Sequence, residues 1–284
     1  EGNIVGFNKS VAQKAVWASK RHTSKMQMAK QLNKLSDEER LAVQRYTGFA
    51  AHRVNRALYS GKSQMIEKDR EYMKVLDSAL DKGVIERKIV VHRDTIPEFL
   101  NVFPKGFKYS EHDMERLVGK TLTNIGYTST SFRDIQYGGR NVHLEIEVPK
   151  GYRGCLYIES LAIKKYKNQQ EVLFKRGFRC KIKNIEKRGN RKEGVNLIIE
   201  VLEKDVIPKG NRKLLNRRNF YKQHLTSLGF SHVRGKYVIQ LDDENEIETM
   251  KTLLESYRTK YQSYPNSYLR SGDYRKKFFD KNRP

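Results

Sequence analysis

Three short segments of the chain carry side chains that could do chemistry together. Arg93 ends a strand-like run, and residues 129–131 (Ser-Thr-Ser) form a second run that bears hydroxyls. Gln169 and Glu171 lie two residues apart where a third strand begins, and this spacing directs both side chains to one face. A guanidinium binds phosphate oxygens as a fork, and a carboxylate stabilises developing positive charge. Each segment alone is a weak signal, so their order along the chain is the informative observation.

Two further segments extend this order. Residues 137–140 read Tyr-Gly-Gly-Arg, and Tyr46-Thr47 is followed by Asn55 on a predicted helix. The ordered set resembles the bacterial toxin-type mono-ADP-ribosyltransferases, whose pattern is a strand-end Arg, a Ser-Thr-Ser strand and an aromatic-x-x-(Gln or Glu)-x-Glu segment. Within that family the chain is most similar to the Rho-modifying exoenzymes and to the catalytic parts of actin-modifying binary toxins. The resemblance covers roughly Val11 to Leu202.

The resemblance implies that NAD⁺ is the co-substrate and that ADP-ribose is transferred to a macromolecule. Breaking the bond between nicotinamide and ribose leaves oxocarbenium character on the sugar, which a nearby carboxylate stabilises. Glu171 matches that carboxylate, and the Ser129 hydroxyl is expected to orient it. Gln169 is expected to hold the incoming nucleophile, and Tyr166 is expected to contact the acceptor from a projecting loop.

The same resemblance implies a set of NAD⁺ contacts. Arg93 and Arg140 match positions that bind the pyrophosphate, since guanidinium forks bind two phosphate oxygens. Tyr137 matches an aromatic residue that stacks on nicotinamide. The remaining predicted NAD⁺ contacts are Asn55, Arg56 and Ser131. For Asn55 the alternative is a local hydrogen-bonding role. For Ser131, and for Thr130 beside it, the alternative is a structural role.

The chain departs from the family pattern at two positions. Asp94 follows Arg93 where the family often has Gly or Arg, which leaves the second phosphate contact unassigned. Tyr59 stands where the Rho-modifying members carry an Arg near the end of the second helix. Arg56, one turn earlier, is the residue expected to take over this contact.

Gln169 is the main clue to the acceptor. Members that modify arginine have Glu at that position, whereas Gln resembles members that act on asparagine of Rho GTPases or on guanine of DNA. An amide both donates and accepts hydrogen bonds, which suits a neutral amide or a base edge. We therefore expect a protein acceptor first, a Rho-type GTPase or actin, and a nucleic acid second. A catalytically inactive binding module on the same scaffold is the third alternative, against which the intact motif set argues.

The charge of the chain favours polyanionic partners. The net charge is +24, from 57 basic and 33 acidic residues, and it is spread along the 284 residues. A boundary is expected near residues 207–210, so residues 1–205 are predicted to form the catalytic domain. Residues 206–284 are predicted to be a basic accessory α/β segment of unknown role. Its Tyr, Arg and Lys residues suit either nucleic-acid stacking or a docking surface.

Apolar periodicity predicts helices in the first third of the chain and strands after it. Residues 36–39 have the form of a capping box, and a later helix is expected to stop at Gly83. This order predicts an α+β fold. The resemblance implies an ADP-ribosyltransferase fold, with N-terminal helices followed by two packed, mostly antiparallel sheets around an NAD cleft. The predicted elements are helices over residues 12–20, 36–58 and 65–80, strands over 88–92, 127–132, 142–148, 154–158, 171–174, 178–185, 195–202 and 236–241, and helices over 217–228 and from 242.

Several functional classes have no support in the sequence. No run approaches the ~20 apolar residues of a membrane span. The seven histidines and two cysteines show no metal-ligand spacing, so we expect no metal, and Cys155 and Cys180 are expected to be buried free thiols. The chain begins with Glu1 and is interpreted as a mature or excised fragment. The family implies a secreted or injected effector that acts in the target-cell cytoplasm, with an inhibitor or a delivery partner as further candidates.

Overall fold

A computed structural model describes residues 2–60, 66–95, 115, 117–124, 126–134, 142–187, 195–202 and 237–240. Two of the predicted NAD⁺ contacts, Tyr137 and Arg140, lie outside these residues, as do the helices predicted over 217–228 and from 242. The helices precede the sheet, as predicted.

The helical part differs from the prediction mainly at its beginning. Residues 12–20 belong to one helix of 30 residues rather than to a short one. The second predicted helix is divided by a π-helical turn, Tyr46–Ala50, in which Gly48 has non-helical backbone angles (φ −91°, ψ −122°). Within the described residues no helix is both long and apolar enough to cross a membrane. The helices are α1 (Gly2–Gln31), α2 (Asp37–Arg45), α3 (Ala51–Ser60) and α4 (Glu67–Asp81), with 3-10 turns at Leu32–Lys34, Glu159–Leu161 and Lys164–Tyr166.

The predicted capping box begins α2. The Ser36 hydroxyl accepts a hydrogen bond from the Glu39 N–H, and the Glu39 carboxylate accepts one from the Ser36 N–H. The carboxylate of Glu39 also accepts hydrogen bonds from Ser78 and Lys82, at 2.8 and 2.6 Å. The same side chain therefore begins α2 and attaches it to α4.

We expect Ser36→Ala to lower the free energy of unfolding by about 1 kcal/mol, because one N–H at the beginning of α2 loses its acceptor. Urea denaturation measures this difference. Ser160→Ala is the matched control, since Ser160 is exposed and lies in a turn whose N-cap has no side-chain hydrogen bond. Equal stability of the Ser36 variant and the wild type would contradict the role of the cap.

Nine strands form one hydrogen-bonded sheet, in the order β5-β6-β3-β1-β4-β8-β7-β2-β9. Among the described strands every neighbouring pair is antiparallel except β4 and β8, which run parallel. Seven strands agree with the predicted runs before residue 203; β2 was not predicted. The strands are β1 (Ile89–Thr95), β2 (Thr121–Asn124), β3 (Thr128–Ser131), β4 (Val142–Val148), β5 (Cys155–Tyr157), β6 (Glu171–Phe174), β7 (Arg179–Lys187), β8 (Val195–Val201) and β9 (Tyr237–Gln240).

The strands of this sheet divide into two groups at the contact between β1 and β3. That contact consists of a single register pair, His92 with Ser131. On one side lie β5, β6 and β3, whose Leu156 and Leu173 pack with the helices. On the other side lie the remaining strands, whose apolar residues form most of a second core that also includes Cys155, Val172 and Phe174 of β5 and β6. Two packed sheets were expected, whereas in the structure the pair at His92 and Ser131 joins the two groups into one sheet of nine strands.

The strand predicted over residues 236–241 is present as β9. It pairs with β2 in antiparallel register, from Thr121 opposite Gln240 to Asn124 opposite Tyr237. This part of the predicted accessory segment therefore extends the sheet of the first 205 residues.

Both cysteines are buried free thiols, as predicted. Cys155 lies on β5 and Cys180 on β7, and burial raises the pKa of the Cys180 thiol. A side chain at Gly83 would overlap the carbonyl of Cys155, so glycine lets the chain after α4 pass directly against β5.

A buried ion pair connects α4 to the turn after β6. The Asp77 carboxylate accepts hydrogen bonds from Arg176 at 2.7 and 3.0 Å and from the Tyr127 hydroxyl at 2.6 Å. Next to it, Lys175 pairs with Asp81 at 2.7 Å, but the Asp81 side chain is 56% exposed. Two acidic residues one turn apart on α4 thus bind two successive basic residues in different surroundings.

Candidate active site

The three predicted motifs lie on three neighbouring strands. Arg93 is near the end of β1, Ser129 is in β3 and Glu171 begins β6. The register places Ser131 opposite Glu171 on one side and opposite His92 on the other. Segments up to 78 residues apart in the chain therefore meet where the two groups of strands join.

Glu171 is the buried carboxylate at this point. Glu171 is 7% exposed, and burial raises the pKa of its carboxyl group above the ordinary value for glutamate. A hydrogen bond from the Ser129 hydroxyl and the positive charge of Arg93 act in the opposite direction without cancelling the effect of burial. Arg93 also donates from Nη1 to the Ser129 carbonyl. The arginine, the serine and the glutamate thus form one connected group.

The loop before β6 is fixed by the carboxylate of Glu159. The backbone N–H groups of Asn168 and Gln170 donate to its two oxygens, the second at 2.6 Å. Asn168 and Gln170 have φ of 76° and 50°, a left-handed conformation that is uncommon outside glycine. Glu159 therefore stabilises the two unusual residues on either side of Gln169.

Strand β3 and the residues after it hold the same loop from the other side. The Ser131 hydroxyl donates to the Gln169 carbonyl at 2.6 Å and accepts from the Arg133 N–H at 2.9 Å. Arg133 Nη1 donates to the Asn168 carbonyl at 3.0 Å. These bonds support the structural alternative for Ser131, and the NAD⁺ contact predicted for it stays a prediction. Thr130 donates to the Val172 carbonyl on the neighbouring strand, which is a structural role.

Helix α1 also reaches this loop. Lys25 Nζ donates to Gln170 Oε1 at 3.0 Å, so the N-terminal helix contacts the residue between Gln169 and Glu171. Tyr166 is half-buried at the end of a 3-10 turn, and its ring lies 5.4 Å from Lys165 Nζ. The aromatic residue of the motif is therefore part of an ordered turn.

The side chain of Asn55 hydrogen-bonds to the backbone of Tyr127, just before β3. Its Oδ1 accepts from the Tyr127 N–H at 2.8 Å, and its Nδ2 donates to the Tyr127 carbonyl at 3.2 Å and to the Tyr46 hydroxyl at 3.0 Å. This is the local hydrogen-bonding alternative left open by the sequence, and a direct contact with NAD⁺ stays a prediction. Arg56, the next residue on α3, is exposed.

Sequence reasoning missed the residues that hold the loop, namely Glu159, Arg133 and Lys25. Glu159 lies 12 residues before Glu171, and Lys25 lies on a helix whose relation to the sheet no local pattern reveals. Glu159 and Arg133 bind backbone N–H and carbonyl groups of the loop, which leave no signature in residue type, and Lys25 binds the Gln170 side chain.

The family model described as ADP-ribosyltransferase exoenzyme matches residues 22–204. That match spans more than half of the chain, so the class of protein is that of the NAD-dependent ADP-ribosyltransferases. Within that class the chain belongs to the ADP-ribosyltransferase exoenzyme family.

Individual relatives agree with this assignment. The chain is 25% identical, over 182 aligned positions, to the epidermal cell differentiation inhibitor of Staphylococcus aureus, with coverage of 56% of this chain and 72% of that protein. Plx2a, an ADP-ribosyltransferase toxin from Paenibacillus larvae, superposes with a TM-score of 0.56 at 23% identity, covering 65% of this chain and 96% of the toxin. C3stau2 from S. aureus, solved with NAD, gives 0.55 at 22% identity, covering 66% and 96%. These structures share the fold of the chain.

Proposed function

We propose that the protein cleaves NAD⁺ at the nicotinamide–ribose bond and transfers ADP-ribose to an asparagine side chain of a Rho-type GTPase. The observation that carries this proposal is the buried Glu171 carboxylate with Ser129 and Arg93 on three neighbouring strands. A buried carboxylate held by a hydroxyl can face the ribose, and a nearby guanidinium can bind the pyrophosphate. NAD in the related C3stau2 structure supports the same co-substrate.

The reaction exchanges one bond at the C1′ atom of the ribose. The electron pair of the C1′–nitrogen bond leaves with nicotinamide, and the sugar gains oxocarbenium character. Glu171 stabilises this charge and accepts a hydrogen bond from the 2′-hydroxyl, and both interactions strengthen in the transition state. The acceptor amide nitrogen then bonds to C1′ and its proton leaves to water. Gln169 holds that amide in line with C1′, which is a contribution of proximity.

The remaining binding roles follow from the resemblance of these positions to the family pattern. Arg93 and Arg140 bind the pyrophosphate, and Tyr137 stacks on nicotinamide. Arg56 is proposed to contact an NAD⁺ phosphate, and Asn55 is proposed to act mainly through the Tyr127 backbone that it holds. Tyr166 contacts the acceptor from the turn before Gln169. No metal is required in this chemistry.

Residues 206–284 are proposed to be an accessory segment that helps to dock a macromolecular partner. The net charge of +24 is compatible with an acidic protein face, an inhibitor or delivery partner, or a nucleic acid. As an exoenzyme, the protein is proposed to be secreted or injected and to act in the cytoplasm of the target cell.

The acceptor is tested with NAD⁺ labelled on the adenylate side, incubated separately with cell lysate, purified Rho-type GTPase, actin, and DNA or RNA. We expect label on the GTPase, at asparagine. Label on guanine would replace the proposal with nucleic-acid modification, and no label with any acceptor, together with no NAD⁺ hydrolysis, would favour an inactive binding module.

Gln169→Glu is expected to weaken transfer more than NAD⁺ hydrolysis, because the added carboxylate cannot donate a hydrogen bond to the acceptor amide while ribose chemistry needs only Glu171. Both rates are measured on the same preparation. Gln44→Glu, an exposed glutamine on α2, controls for the added charge. Equal losses in both rates would contradict a role in holding the nucleophile.

The activity is also expected to depend on pH through Glu171. Burial raises the pKa of this carboxyl above 4.5, and the ionised form is the active one, so activity rises as pH increases through the raised pKa. Ser129→Ala should move this acid limb to higher pH, because the hydroxyl of Ser129 lowers the pKa of Glu171. The pH profile of kcat/KM for NAD⁺ hydrolysis measures the shift, with Ser129→Thr as the hydroxyl-bearing control. An unchanged acid limb in Ser129→Ala would contradict the contact.

A further inference from the structure

We propose that His92, His143 and Asp134 form a binding site for a divalent transition-metal ion of the zinc type. The nitrogen atoms His92 Nδ1 and His143 Nε2 are 3.1 Å apart, and His143 Nε2 is 3.4 Å from Asp134 Oδ1. Metal–ligand bonds of about 2.0–2.1 Å in a tetrahedron place neighbouring ligand atoms about 3.3–3.4 Å apart. Both separations therefore fit two imidazoles and one carboxylate around a single ion.

Asp94 supplies the orientation that such a site needs. Its carboxylate lies 2.6 Å from His143 Nδ1, and both side chains are almost fully buried. A carboxylate can only accept at this position, so His143 donates from Nδ1, and Nε2 is the nitrogen that remains to bind a metal ion. That atom is the one that faces His92 and Asp134. A carboxylate behind a metal-binding histidine is a recurring arrangement around protein-bound metal ions.

The remaining separation, between His92 Nδ1 and the Asp134 carboxylate, lies toward the surface of the protein. All three candidate ligand atoms lie within 4.8 Å of one another, and the Asp134 side chain is 55% exposed and able to rotate toward His92. His92 is half-buried and Asp134 is exposed, so water can reach the site and supply a fourth ligand. Two histidines and a carboxylate with one open position are a ligand set found for zinc in proteins.

The site lies at the base of a segment that the proposed function uses. Asp134 follows β3 and His143 is the second residue of β4, so one ion would join the two ends of the segment that contains Tyr137 and Arg140. This consequence rests on the proposed function, whereas the metal site itself does not. The ion is structural in this proposal and takes no part in breaking the nicotinamide–ribose bond.

Direct titration tests the site. The full chain is treated with a chelator, dialysed, and titrated with Zn²⁺ in competition with a chromophoric chelator. We expect one ion per chain, and affinity about 10–100-fold lower in Asp94→Asn, which loses only the orienting carboxylate. His92→Gln and Asp134→Asn should lose more than Asp94→Asn, because each removes a ligand. His22→Gln and His52→Gln, which replace exposed histidines on α1 and α3, should bind as the wild type does.

The exposed position of Asp134 makes its variant the decisive one, since it is not expected to disturb folding; circular dichroism verifies this. Co²⁺ in place of Zn²⁺ should give visible absorption that Asp134→Asn alters. Absence of stoichiometric Zn²⁺ binding, or equal binding by Asp134→Asn, His92→Gln and the two control variants, would overturn the proposal. NAD⁺ labelling measured without added metal reports on the proposed function separately.

Discussion

Glu171→Gln is expected to reduce both ADP-ribose transfer and NAD⁺ hydrolysis by roughly 10²–10³-fold or more, with the fold intact. The substitution keeps the shape of the side chain but removes the negative charge that faces the developing oxocarbenium ion. Arg93 and Ser129 remain to bind and orient NAD⁺, so the loss should appear in kcat rather than only in KM. Glu200→Gln, which replaces a half-buried carboxylate on β8, is the control for loss of a strand carboxylate.

The same variant is expected to keep its stability at neutral pH. Because burial raises the pKa of Glu171, the folded state holds the proton more tightly than the unfolded state does. Stability from this group therefore falls as pH rises from the ordinary glutamate pKa through the raised one. Gln cannot ionise and avoids that loss. Full activity of the variant would remove Glu171 from its proposed role, and an unfolded variant would show that the carboxylate is needed for the fold instead.

Asp77→Ala is expected to lower the free energy of unfolding by about 3–5 kcal/mol, because it leaves the guanidinium of Arg176 buried without its partner. The Arg176 side chain is 6% exposed, and the Tyr127 hydroxyl loses the same acceptor. Urea denaturation followed by circular dichroism measures the difference.

Asp81→Ala provides the comparison on the same helix. Asp81 also pairs with a buried basic residue, Lys175, but the Asp81 side chain is more than half exposed. The flexible Lys175 side chain can therefore move its ammonium group into solvent, so the loss of Asp81 should cost about 1 kcal/mol or less. If the two variants were equally stable, burial would not be what distinguishes the Asp77 pair.

Local patterns in the sequence predicted the strands well and the first helix poorly. Strand β4 alternates apolar and polar residues, and its observed bounds, Val142–Val148, are those predicted. Helix α1 has weak apolar periodicity over much of its length, so its extent to Gln31 could not be predicted. Strand β2 has one large apolar residue, Leu122, in four positions, and forms because β7 and β9 lie on either side.

The candidate site likewise has residues that the sequence could predict and contacts that it could not. Arg93, Ser129 and Glu171 were predicted because each belongs to a short motif with a fixed order. The contacts that support them join residues far apart in the chain, such as His92 with His143, 51 residues away, and Lys25 with Gln170. No residue spacing encodes these contacts, since they arise only when the strands take their places in the sheet.

The parallel pairing of β4 with β8 has a consequence during translation. Strand β4 begins at Val142, but its partner on that edge begins only at Val195, after β5, β6 and β7 have been made. Pairing across such a sequence separation is slow to form. Until the ribosome has released residues 195–201, a nascent chain presents an unpaired β4 edge rich in Val, Leu and Ile. That interval is when aggregation competes most strongly with folding, and when a chaperone would be most useful.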